Sequence, residues 1–348
     1  MLIELLKDKY KTVSIVGMAK NAGKTVALNQ LIIEAMEEEV VIGLTSIGRD
    51  GERQDVVTFT EKPMIYLPEG SLIATAETTF NLSEARMEIL EVTDFNTSMG
   101  KVIIGRVIAS GYVQIAGPCT NEDIKNVTDR MHLHGANVVV VDGALDRVSS
   151  ASPAITEATL LSTGAVVSRD MDKVIDQTLH QVNLFRLKPV MDSVIREMLE
   201  GIFIERKIAV IDKEGVVEHL PIRTALNAGR KIGAALSENS RYVVVSGSLV
   251  SKTVTDIIGT TKSYKNTIIV VQDATKIFIG KRDWLYYKKL GVSIEVFNEI
   301  NLLGVTANPY SPEGYYFDSK KFIGRLTSFL DGVPVLDVMG SEDPLCSI

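Results

Sequence analysis

The stretch "SIVGMAKNAGKTVALNQL", residues 14–31, decides how this chain is read. β-branched residues recur through Thr12–Val16 and predict a strand, whereas Ala27, Leu28, Leu31, Ile32 and Ala35 recur at helical spacing. Between them lies most of a phosphate-binding loop. In G-x-x-x-x-G-K-[ST] the backbone N–H groups wrap phosphate oxygens, the lysine adds charge, and the hydroxyl binds magnesium. Gly23, Lys24 and Thr25 supply the end of that pattern. Its first glycine is due at position 18, where the chain has Met18, and Gly17 stands one residue early.

The strand before this loop and the amphipathic helix after it are the flanks its mechanism needs, which favours a nucleotide site over a structural turn. Its candidate residues are Gly17, Lys20, Asn21, Ala22, Gly23, Lys24, Thr25 and Val26. Lys20 reads either as an extra cation for phosphate or as an exposed loop charge. Action of such a lysine across a dimer would make the protein a homo-oligomer, which stays open.

A second element supports the first. "NVVVVDGALDR", residues 137–147, is an apolar strand ending in Asp142, and ligands bind at the carboxyl ends of strands in open α/β sheets. Asp142 is expected to hold magnesium together with Thr25; by itself it would read as a turn-opening aspartate. Asp50, and less so Asp55, in "GRDGERQD" read either as groups near the terminal phosphate or as a solvated turn. Asp146 and Arg147 fall on the same strand edge as Asp142. The expected catalytic set is Lys24, Asp142 and Asp50, with Thr25 and Asp142 as metal ligands. The expected cofactors are ATP or GTP and Mg2+, because no [NT]KxD guanine signature fixes the base.

"VVIGL", residues 40–44, has no polar face, so it suits a sheet covered on both sides. The fold class is therefore α/β: a phosphate-loop three-layer domain with an antiparallel β insertion, followed by a second α/β domain. The insertion is expected over about 46–118, the first domain over 1–195 and the second over 196–348, with the boundary within 190–206. After Pro153 the pattern reads as a helix, a short strand "GAVVS" and another helix ending before Pro189. The second half repeats the rhythm through "KIAVID", a helix over Thr224–Leu236, "YVVVSG", "NTIIVVQ" and a final "SIEVFN".

Composition narrows the function. With 348 residues and 45% hydrophobic content, the chain is long enough for two cores. Its apolar runs are too short to span a bilayer, and "MLIELLKDKY" lacks the plan of a signal peptide, so a cytoplasmic protein is expected. The net charge of −7 and the lack of a basic block argue against a nucleic-acid surface. Cys119 and Cys346 are too few for a disulfide framework. His132 and His134 lack a third metal ligand, and Trp284 with its neighbouring tyrosines reads as helix packing.

The loop "KNAGKT" resembles phosphate-loop proteins that include the molybdopterin-guanine dinucleotide adaptor proteins. Together, "SIVGMAKNAGKT", "GLTSIGRDGE", "KPMIYLPEGSLIATA" and "VVVVDGALDR" resemble the lysine 5,6-aminomutase reactivase subunit family. The resemblance covers roughly residues 12–168. It implies an ATPase that works with a MutS-like ATPase to exchange damaged cobalamin from an adenosylcobalamin-dependent aminomutase. Gly23, Lys24 and Thr25 would then be the nucleotide loop and Asp142 the matching acid. The cobalamin signature DxHxxG is absent, so the chain is not expected to carry cobalamin. The residues by themselves also fit a small-molecule kinase or ATP-dependent ligase, or an adaptor that binds nucleotide and scarcely hydrolyses it.

Overall fold

The computed structural model describes residues 1–47, 65–143 and 151–338. A short helix α1 (Leu2–Leu6) precedes strand β1 (Thr12–Gly17), and helix α2 (Lys24–Glu37) leads to β2 (Ile42–Ser46). There follow β3 (Ile65–Leu67), β4 (Leu72–Ala76), α3 (Glu77–Asn81), the long hairpin β5 (Arg86–Thr97) and β6 (Gly100–Ala109), and β7 (Gly111–Val113). Helix α4 (Asn121–Leu133), β8 (Val138–Asp142), β9 (Ala158–Gly164) and α5 (Met171–Phe185) complete this part.

The next segment comprises α6 (Ser193–Ile204), β10 (Ile208–Asp212), β11 (Val217–Leu220), α7 (Gly229–Ala235), β12 (Ser240–Val245) and β13 (Leu249–Val250). It continues with α8 (Ser251–Thr260), β14 (Ile268–Val271), β15 (Ile277–Phe278), α9 (Lys281–Leu290) and β16 (Ser293–Val296). The chain then adds β17 (Leu302–Asn308), β18 (Tyr310–Ser311), β19 (Tyr315–Tyr316), α10 (Ser319–Phe329) and β20 (Val335–Asp337).

The fold is mixed α/β, built on a large, mainly parallel sheet. Among the described residues nine strands join it in the order β20-β17-β9-β1-β8-β2-β4-β6-β5. All pairs from β20 to β4 are parallel, and β6 and β5 extend the far edge antiparallel. The β-rich stretch expected over 46–118 is thus partly a continuation of the parallel sheet through β4, with the antiparallel part confined mainly to the β5-β6 hairpin and to β3 with β7.

Burial on both faces explains the all-valine strand. Val138 and Val140 of β8 face α1 and α2 through Leu6, Leu28 and Leu31, while Val139 faces Val127 and Met131 of α4. Each such leucine contributes about 1.5–3 kcal/mol by leaving water. Thr120 caps α4 by accepting from the Asp123 backbone N–H at 3.1 Å, as the Thr-x-x-Asp spacing predicts.

Several expectations change. The segment before "GAVVS" is not a helix: Ala158–Gly164 is strand β9, and Ala165–Val167 is a single 3-10 turn. All seven β9 residues are buried between β1 and β17, so alternation is absent, and Ala and Leu carry the helical preference that misleads the pattern.

The second correction concerns domains. Compact units comprise Met1–Leu179 with Asn301–Ile348, and His180–Ile300, in place of 1–195 and 196–348. The chain returns because β9 needs a partner on its outer side: Leu161↔Val305 and Ser162↔Thr306 pair β17 against it. The second unit has its own sheet, β11-β10-β12-β14-β16, parallel through β12, β14 and β16. Its core joins Leu199, Ile202 and Phe203 of α6 to Ile211, Val244 and Val270. The helix expected over 224–236 is shorter, Gly229–Ala235.

Ending the chain after residue 300 would remove β17 and β20 and bare the β9 edge. Cooperative melting of the first unit is expected to be lost in that truncation. Calorimetry would contradict the division if the truncated protein kept the full-length transition temperature for this unit.

Candidate functional site

The loop between β1 and α2 solves its geometry without a glycine at 18. Its left-handed positions are Asn21, with φ 61°, and Gly23, with φ 99°; Met18 is not among them. Asparagine tolerates that region better than most residues, and glycine freely. Gly17 has a different use: a Cβ there would lie 3.0 Å from both Cγ and Cδ of Lys24. The early glycine therefore makes room for the lysine stem. The Met18 N–H donates to the Ser162 carbonyl at 2.9 Å and ties the loop to β9.

Ala22 is fully buried under the loop, and Lys20 and Asn21 are exposed at its tip. Val26 is half-buried and packs on the core under α2. Gly23 is the N-cap of α2 and brings no side chain to the first helical N–H groups. Such a terminus presents donors and the positive end of a helix dipole to an anion.

Asp142 ends β8, whose register sets it beside Ile15 of β1 and Ser46 of β2. The Gly143 N–H donates to the Ile15 carbonyl and the Ile47 N–H to the Asp142 carbonyl, both at 3.2 Å. Lys24 Nζ reaches across to donate to the Gly143 carbonyl at 2.9 Å. The loop lysine and the strand-end acid are thus brought to one edge. Burial pushes the Asp142 carboxyl up to about 6, and the charge of Lys24 opposes that rise without cancelling it.

Asp50, Asp55, Asp146 and Arg147 lie outside the described residues, as does Cys346. Among the described residues no group of three His, Cys, Asp or Glu could hold a metal ion. A hard cation at Thr25 and Asp142 would therefore complete its shell with ligand oxygens and water, as Mg2+ ordinarily does. The oxygen chemistry of these two side chains fits that ion.

The histidines are structural in the way their spacing suggests. His132 Nδ1 is 2.8 Å from the Ala136 carbonyl, and His134 Nε2 is 3.0 Å from Glu91, which also pairs with Arg130. In the second unit, Trp284 is buried with Lys288 over its ring. In the "YVVVSG" turn there, the Ser246 hydroxyl donates to the Lys207 carbonyl. Among the described residues no helix is long and apolar enough to cross a membrane.

One site residue was absent from the sequence expectations. Asn308 ends β17, and a Cβ on Gly23 would lie 2.8 Å from its Cβ. The signal was the strand-like "LLGVTAN" ending in a polar residue, which has the same form as "VVVVD".

The raised pKa of Asp142 has a measurable effect on stability. Between 3.8 and about 6 the unfolded chain releases this proton first, so stability falls as pH rises, by about 3 kcal/mol in all. Without nucleotide or magnesium, Asp142→Asn is expected to flatten this part of the pH profile and to be the more stable protein at pH 7. Urea midpoints from pH 4 to 8 check this; an unchanged slope in the variant would contradict the buried-carboxylate assignment.

Compared with known proteins, the chain matches no family model, no curated protein and no solved structure.

Proposed function

We propose that the chain is a phosphate-loop protein that binds ATP or GTP with Mg2+ and acts as the nucleotide-operated component of a reactivase for an adenosylcobalamin-dependent aminomutase. The nucleotide part of this reading is carried by one observation: Lys24, from the loop after β1, meets the backbone just after Asp142 at the end of β8. The reactivase part is supported by the resemblance of "GLTSIGRDGE", "KPMIYLPEGSLIATA" and "VVVVDGALDR" alone.

The roles follow from position. Backbone donors of residues 22–25 wrap the phosphates at the start of α2. Lys24 exchanges the Gly143 carbonyl for phosphate oxygen, a stronger acceptor because it is charged. Thr25 and Asp142 would hold Mg2+, which would supply charge neutralisation at the phosphates. Asp142 must ionise to do so, and a dication beside it reverses the effect of burial. The Ile47 N–H bond to the Asp142 carbonyl links this event to the end of β2. In the proposed reactivase, movement that starts at the end of β2 alters a contact with the mutase or its MutS-like companion.

Lys24→Ala is expected to weaken Mg·ATP binding by about a hundredfold or more, roughly 2.7 kcal/mol. Asp142→Ala is expected to keep part of the nucleotide affinity and lose its dependence on magnesium. Titration calorimetry with and without Mg2+ checks both. Unchanged ATP affinity in the lysine variant would sink the phosphate-loop assignment. Slow ATP hydrolysis is expected to rise several-fold when an aminomutase and its companion are added; an unchanged rate would sink the reactivase role.

A further inference from the structure

Asn308 stands where a phosphate loop meets a different kind of surface. The residue is 9% exposed, and a Cβ on Gly23 would lie 3.4 Å from its Nδ2. Its Oδ1 accepts the Tyr310 N–H at 3.0 Å, which fixes the amide's orientation. Nδ2 is thereby left as a donor beside the loop, with no hydrogen bond to another described residue.

The two tyrosines that follow form the surface. Strands β18 and β19 pair antiparallel, with Tyr310 opposite Tyr316 and Ser311 opposite Tyr315. Alternation sends Tyr315 to the other side from Tyr316. The Tyr315 hydroxyl donates to the Ala165 carbonyl at 2.8 Å, and the Arg169 guanidinium sits over its ring at 5.1 Å. The hairpin is fastened from behind. In front, the Tyr310 and Tyr316 rings stand 6.2 Å apart and are 52% and 72% exposed. Large aromatic rings left in water next to a fixed amide donor, itself next to a phosphate loop, have the composition of a base-binding surface: aromatic faces for stacking, tilted 38° to each other, and a donor for a ring nitrogen.

We infer that the segment Asn308–Tyr316 holds the base of the nucleotide and selects purines, with Asn308 Nδ2 donating to the purine N7 and Tyr310 and Tyr316 stacking on the ring. This rests on the phosphate-loop reading above. N7 is an acceptor in both adenine and guanine, and pyrimidines lack it. With Oδ1 turned to the Tyr310 N–H, Nδ2 is the polar atom that Asn308 presents to the base. The site therefore reads purine against pyrimidine, and ATP and GTP share it.

Titration calorimetry of the full chain with ATP, GTP, CTP, 7-deaza-ATP and inorganic tripolyphosphate, all with Mg2+, tests this. ATP and GTP are expected to bind at least about tenfold more tightly than CTP and than 7-deaza-ATP, which keeps the stacking surface and lacks the N7 acceptor. Asn308→Ala is expected to erase the difference between ATP and 7-deaza-ATP while tripolyphosphate binds as before. Tyr316→Ala, at a highly exposed position, is expected to weaken ATP and 7-deaza-ATP alike and to spare tripolyphosphate. Equal binding of ATP and CTP in the wild type would overturn the inference and leave the phosphate loop standing. So would a loss of tripolyphosphate binding in Asn308→Ala equal to the loss of ATP, since Asn308 would then only shape the Gly23 turn. If neither ATP nor tripolyphosphate binds the wild type, both readings fall together.

Discussion

The bond from Lys24 Nζ to the Gly143 carbonyl, 2.9 Å long, joins the two segments on which the candidate site depends. It holds only because β1 and β8 are neighbours in register, with Ile15 beside Asp142. A parallel sheet brings the ends of its strands to one edge, and the residues that follow them must meet there. The loop after β1, the acid ending β8 and the amide ending β17 are three consequences of that arrangement. Gly17 yields space to the lysine stem, so the displaced glycine becomes part of the same interaction.

This edge carries unresolved electrostatic tension. A carboxyl pushed up to about 6 by burial is a cost that the fold bears at neutral pH. Strain of this kind concentrates where ligands or catalysis supply the missing compensation. Lys24 offers part of it, and a bound cation would supply more. The start of α2 is the complementary case, a positive helix end with no side-chain cap. The magnesium-bound phosphate proposed above would satisfy both.

Local chemistry was legible in the sequence and partnership was not. Strand β1, the loop and α2 could be read because "SIVGMAKNAGKT" and the spacing of Ala27, Leu28 and Leu31 express backbone demands within one short segment. Asp142 could be read because four valines end on a charge. Strand β9 was hidden: "ATLLSTG" is buried on both faces, has no alternation and uses helix-forming Ala and Leu. The return of residues 302–308 to the first sheet was hidden for another reason. "LLGVTAN" announces a strand but not which edge it completes, and the second unit lies between it and β9 in the sequence. Asn308 therefore could not be joined to Gly23 until the sheet order was known.

Hydrogen exchange of the whole protein with and without Mg·ATP measures the central claim directly. If the edge of β1 and β8 is one nucleotide site, the amides of residues 17–28 and of 138–143 slow together when nucleotide is added. Exchange that is unchanged in both segments, or altered only within residues 180–300, would contradict it.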